Sequence, residues 1–245
     1  MFSQYERCVY SKNQLIEVIC QLRFPEILSI ETNIPAAFQE AVRDRFPIYN
    51  VRKENNGDRQ TNNHQFSTAD GALRINLTSK FISLSCNRYT CWEEFAAILD
   101  KPLVSFIQIY MPAFFERIGL RYMNIISRKA LSIEEYSFNE LINSPYCGIL
   151  GVDNILETDT SLCSMDADIA MQGGCRLKLH SGLGKITQNG HADPEIKFIL
   201  DEDFYMQGNI PVNTSAGALQ TLHGQAYPFF RSAISKTLHD AMEPQ

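Results

Sequence analysis

Four polar residues sit at strand positions from which they could do chemistry: Glu17, Arg23, Arg121 and Asn124. An arginine holds a planar carboxylate through two parallel N–H donors. An asparagine on an apolar face must find hydrogen-bond partners if it is buried. If the strands carrying Glu17 and Arg121 are neighbours, these two residues pair across the sheet, a contact that contributes about 0.2–1 kcal/mol. Two readings stay open. The four residues either recognise an anionic or amide-bearing ligand, or form a self-satisfied polar network at the junction of two halves.

Other groupings fall short of a site. Cys86 and Cys91 lie five positions apart, with no C-x-x-C and no histidine at ligand spacing, whereas a structural zinc needs about four ligands in a recognisable pattern. Cys91 stands near an expected helix start, where a thiol gains reactivity. Asp201-Glu202-Asp203 and Asp166-x-Asp168 have the ligand type that hard cations favour, but short acidic runs are ordinarily solvated turns. His180, His191, His223 and His239 share no spacing, and His223 beside Leu222 is expected to pack against the sheet. Gly182-Leu183-Gly184-Lys185 lacks the length and the hydroxyl of a phosphate loop and is expected to be a turn. No G-x-S-x-G elbow is present. The expectation is therefore no catalytic residue, no metal and no cofactor.

The elements that would position these residues follow from hydrophobic period. Alternation from Leu15 to Phe24 predicts a strand, and helical spacing of Phe38, Ala41, Val42 and Phe46 after Pro35 predicts a helix. Ile48 to Val51 is a short strand, and the polar run from Arg52 to His64 is expected to be a mobile loop. A meander follows through Leu73–Leu77 and Ile82–Cys86, then a long helix from Trp92 to Phe115 that Pro102 bends or restarts. Arg117 to Ser127 alternates again, and Ser132 is a candidate cap for a helix through Leu141. Met165 to Met171 and Leu177 to Leu179 flank Gly173-Gly174 as a hairpin. Glu195 to Asp201 adds a strand, and Ser215 to Ala241 forms a closing helix kinked at Pro228. The fold class is α+β. Residues 1–115 and 116–245 repeat one order of strand, helix, antiparallel strands and long helix, which predicts two similar halves of curved antiparallel sheet in one body.

Composition narrows the partners. A net charge of −6 argues against a generic nucleic-acid binder, although Arg43, Arg45, Arg52, Lys53 and Arg59 could form a local basic face. Seven cysteines, an odd number with several at apolar strand positions, and a polar opening segment point to free thiols in a reducing cytoplasm. The longest apolar stretch, Pro102 to Phe115, is too short to span a bilayer, so no membrane is expected. What remains is a binding or regulatory protein with a protein partner or a second copy of itself, acting through a sheet edge, a helix face or the Arg52–His64 segment. The alternative is a small-molecule binder or enzyme with a cavity between sheet and long helix.

Leu15-Ile16-Glu17-Val18, Leu22-Arg23-Phe24, Arg45-Phe46-Pro47, Trp92-Glu93-Glu94-Phe95 and Arg117-Ile118-Gly119-Leu120-Arg121-Tyr122-Met123-Asn124 carry a resemblance. In these segments the chain resembles a sporadically distributed prokaryotic protein family of unknown function. The resemblance covers about the first half and the central strand. It brings no catalytic residues, and it implies the patchy distribution common among accessory proteins of mobile or defence loci.

Overall fold

The computed structural model describes residues 5–56, 59–152, 154–188 and 191–245. The chain is mixed helix and strand. In order come β1 (Leu15–Arg23), α1 (Leu28–Thr32), α2 (Ala36–Val42), β2 (Ile48–Asn56), β3 (Arg59–Ser67), β4 (Leu73–Leu77), β5 (Phe81–Cys86) and α3 (Trp92–Tyr110). Then follow β6 (Phe115–Ile126), α4 (Arg128–Leu131), α5 (Phe138–Leu141), β7 (Ser164–Ala170), β8 (Arg176–Gln188), β9 (His191–Ile210), α6 (Ser215–Ala233) and α7 (Lys236–Ala241). The strands join in one sheet of order β2-β3-β4-β5-β1-β6-β9-β8-β7.

Contacts divide the chain into two compact units, one of Glu17–Leu120 and Tyr205–Leu222, the other of Met1–Ile16, Arg121–Phe204 and His223–Gln245. In the first unit, β1 pairs antiparallel with β5, β5 with β4, β4 with β3, and β3 with β2. The two-residue period sends Val18, Cys20 and Leu22 of β1, Leu84 of β5 and Ile75 of β4 to one buried face. Helices cover that face: Phe24 packs on Phe106 of α3 at 4.7 Å between ring centroids, and Phe38 of α2 packs on Phe66 of β3 at 5.2 Å. The opposite face is polar. Gln65, Asn76, Ser83 and Gln21 occupy paired positions across β3, β4, β5 and β1. Gln65 Nε2 donates to Asn76 Oδ1 at 3.1 Å, and Asn76 Nδ2 to Ser83 Oγ at 3.3 Å.

In the second unit, Phe138 of α5 packs on Phe198 of β9, and Phe204 of β9 meets Phe229 of α6 edge-on. Residues 9–12 run beside residues 242–245. Val9 O accepts from Gln245 N at 2.8 Å, Tyr10 bridges Pro244, and Ser11 N and Lys12 N donate to Glu243 O and Met242 O at 3.1 Å.

Five local expectations need correction. The long helix expected from Trp92 to Phe115 ends at Tyr110, and Phe115 opens β6. The run Arg52–His64 is the β2–β3 hairpin and not a loop; Gly57 and the side chain of Arg59 lie outside the described residues. Its polar residues are built in: His64 is 3% exposed, with Nδ1 on Tyr49 Oη at 2.9 Å and Nε2 on Ile30 O at 3.1 Å. Ser132 does not start a helix; it ends α4 with φ 57°, and the capping box is Ser137 with Glu140 at α5. Gly182 to Lys185 lies inside β8 and is no turn. The closing helix breaks after Ala233, and Ser235 caps α7 by accepting from Leu238 N at 3.3 Å; Pro228 stays within α6.

Candidate functional site

The sequence candidates fall into two groups. In the unit of β1, Val18, Cys20 and Leu22 are buried while Glu17 is half-buried and Arg23 exposed, both on the polar face. In the other unit, Arg121 is held by Asp201 of β9, with Nε 2.6 Å from Oδ1 and Nη2 on Oδ2. Asp201 is therefore a bidentate partner of Arg121. Asn124 is 5% exposed, and its Nδ2 reaches Leu200 O at 3.5 Å. One turn of alternation away, Tyr122 Oη meets His223 Nδ1 of α6 at 3.0 Å, both residues buried. His223 thus packs beneath its helix. Two more acidic candidates are also engaged: Asp166 with His180 Nδ1 at 2.9 Å, and Asp168 with Arg176 Nη2 at 2.8 Å. Among the described residues no cluster of three or more His, Cys, Asp or Glu could hold a metal ion. Beneath α3, Leu22, Ile75, Ile82, Leu84, Leu99 and Leu103 close on a gap with no room for a water molecule.

A denser polar cluster, absent from the sequence reading, lies where residues 5–10 cross α6 and α7. Tyr227 and Arg231 are four residues apart on α6 and so share a face. Cys8 and Tyr10, two apart in extended chain, also point one way. Cys8 Sγ lies 3.1 Å from Tyr227 Oη, and Tyr10 Oη lies 2.8 Å from His239 Nδ1 of α7. The Arg231 guanidinium carbon stands 5.2 Å over the Tyr5 ring, a cation–π contact. Nη1 of Arg231 is buried with no hydrogen-bond acceptor. Nearby, Tyr146 Oη and Ser232 Oγ are 2.7 Å apart.

No protein-family profile matches the chain, and no curated protein matches its sequence. Chemistry must then be read from the geometry alone.

Burial dominates the electrostatics of the cluster. It pushes the Tyr10 phenol far above its ordinary value, with the neighbouring Tyr227 and Cys8 adding to the shift and Arg231 opposing it. Tyr227 is raised for the same first reason. His239 is lowered, first by burial and then by the charge of Arg231. At neutral pH the Tyr10 and Tyr227 phenols and the His239 imidazole are therefore neutral beside the Arg231 guanidinium.

Glu202 of β9, noted in the sequence only as part of the acidic run Asp201-Glu202-Asp203, is a second feature. It alternates with buried Leu200 and Phe204, is 1% exposed, and its Oε1 has no partner. Burial, reinforced by the charge of Asp201, raises its pKa well above the carboxylate norm.

Proposed function

We propose that this chain is a binding or regulatory protein without catalytic activity, and that it acts by receiving an extended segment of a protein partner along the outer edge of β2. One observation carries this reading. β2 ends its side of the sheet order and exposes Ile48 and Val51, at 41% and 48%, next to exposed Arg52 and Lys53. An outer strand leaves backbone donors and acceptors unpaired. Strand addition uses those groups for affinity and the flanking side chains for selection. Apolar residues beside two cations favour a partner segment of mixed apolar and acidic residues.

The test places a photo-crosslinking residue at Val51, and for comparison at exposed Leu162, in protein isolated with its partner from the native host. Crosslinks at position 51, and loss of the partner in the Ile48→Asp/Val51→Asp variant, are expected. A specific partner retained by that variant, or no specific partner at all, refutes the reading.

We also infer an internal duplication. It is supported by the strand order, in which β3-β4-β5-β1 is mirrored by β6-β9-β8-β7 with β2 as an addition. Each half closes with a 19-residue helix that contains a proline, Pro102 in α3 and Pro228 in α6.

A further inference from the structure

The guanidinium of Arg231 presents a problem that its own surroundings do not solve. A buried charge is tolerated when it is paired or fully hydrogen-bonded. Nη1 of Arg231 is buried and has no acceptor. The face of Tyr5 lies over the group, but a ring face satisfies no N–H in the guanidinium plane. Asp240, a carboxylate that feels this charge, is itself bonded to Nζ of Lys236. The groups around Arg231 are a thiol and two phenols, all able to donate, and His239 already meets Tyr10 Oη through Nδ1. The phenol oxygens and the thiol can accept as well, but none of them, and no carboxylate, meets Arg231 Nη1. The residue as a whole is half-buried, so part of its side chain reaches solvent while Nη1 does not.

A group that supplies an acceptor is an anion with several oxygens. Guanidinium matches such a group through two parallel hydrogen bonds, and hydroxyls add to them without introducing a competing charge. We propose that Arg231, with the hydroxyls of Tyr10 and Tyr227, forms a binding site for a small oxyanion group, a phosphate or a carboxylate. The site belongs to the unit that holds both ends of the chain and does not depend on the β2 edge.

The experiment is calorimetric titration of the intact protein with inorganic phosphate and, separately, with acetate, using chloride at matched ionic strength as the control. Saturable binding of one or both anions, with a rise in Tm, is expected. Phosphate alone points to a phosphoryl-bearing ligand, and acetate alone to a carboxylate. Arg231→Gln should weaken binding by about 10-fold or more, and Tyr227→Phe by several-fold, because charged hydrogen bonds are the strongest of the set. No saturable binding of either anion by the wild type overturns the proposal. So does equal affinity in Arg231→Gln. If that variant does not fold, unchanged affinity in Tyr227→Phe has the same force.

Discussion

Replacing Glu202 by glutamine should leave the fold in place and change how stability depends on pH. The carboxyl is 1% exposed and Oε1 is unpartnered, so its charged form lacks both water and a counter-ion. Its folded pKa is raised, first by burial and then by Asp201, above the ordinary 4.5. Above pH 4.5 the unfolded chain has released this proton while the folded protein retains it. Unfolding then releases a proton, and stability falls as pH rises, by about 1.4 kcal/mol per pH unit until the folded pKa is reached. Glutamine carries no such proton. Its own cost, an amide left without a full set of partners, is the same at every pH. Urea unfolding of both proteins from pH 5 to pH 8 measures the difference directly. Glu202→Gln should gain on the wild type steadily as pH rises. A gap that stays constant across this range would refute the burial argument, whatever its sign.

Other perturbations test separate parts of the structure. Arg128 reaches Glu157 at 2.7 Å with both side chains under a fifth exposed, and the same carboxylate caps Phe138 N at 3.0 Å. Glu157→Ala should therefore cost about 2 kcal/mol or more in urea unfolding, since it strands a half-buried guanidinium. Gly182→Ala should destabilise by more than about 1 kcal/mol, because its Cβ would lie 2.2 Å from the backbone oxygen of Cys163 in an adjoining segment. Mass spectrometry of the native protein after brief alkylation at pH 8 should find Cys8 and Cys91 modified first. Cys20 and Cys147, whose thiols burial pushes up to about 12, should react only after unfolding.

The apolar alternation of β1, β4, β5 and β6 was legible because each strand buries one face, and burial on one face writes a period of two into the residue types. Where burial is instead polar, that signal disappears. Thr61, Asn63 and His64 are all under 9% exposed, yet their composition is that of a loop. Their partners lie on other segments: Thr61 and Asn63 bond Glu54 across the hairpin, and His64 bonds Ile30 and Tyr49. Helix caps failed for a related reason. Ser132 and Ser137 are equally good by type and each has a glutamate three residues on, but only Glu140 reaches back, to Ser137 N at 2.8 Å, while Ser132 ends α4. Arg121 and Asn124 were singled out as polar residues on alternating strands, but their partners on β9 could not be chosen without the strand order. The Arg231 cluster left no trace, because it joins residues 5–10 to positions more than 200 residues later. A tyrosine, a cysteine and an arginine so far apart have no spacing to notice.

The pairing of residues 9–12 with 242–245 has a mechanical consequence. Gln245 meets Val9, then Pro244 meets Tyr10, Glu243 meets Ser11, and Met242 meets Lys12. Residues 9 and 245 thus lie at the same end of this short ladder. Tension applied between them opens the ladder like a zipper, loading one rung at a time, so the rungs do not share the force as they would in shear. Cys8 and Tyr10 are the first side chains such a pull strips away.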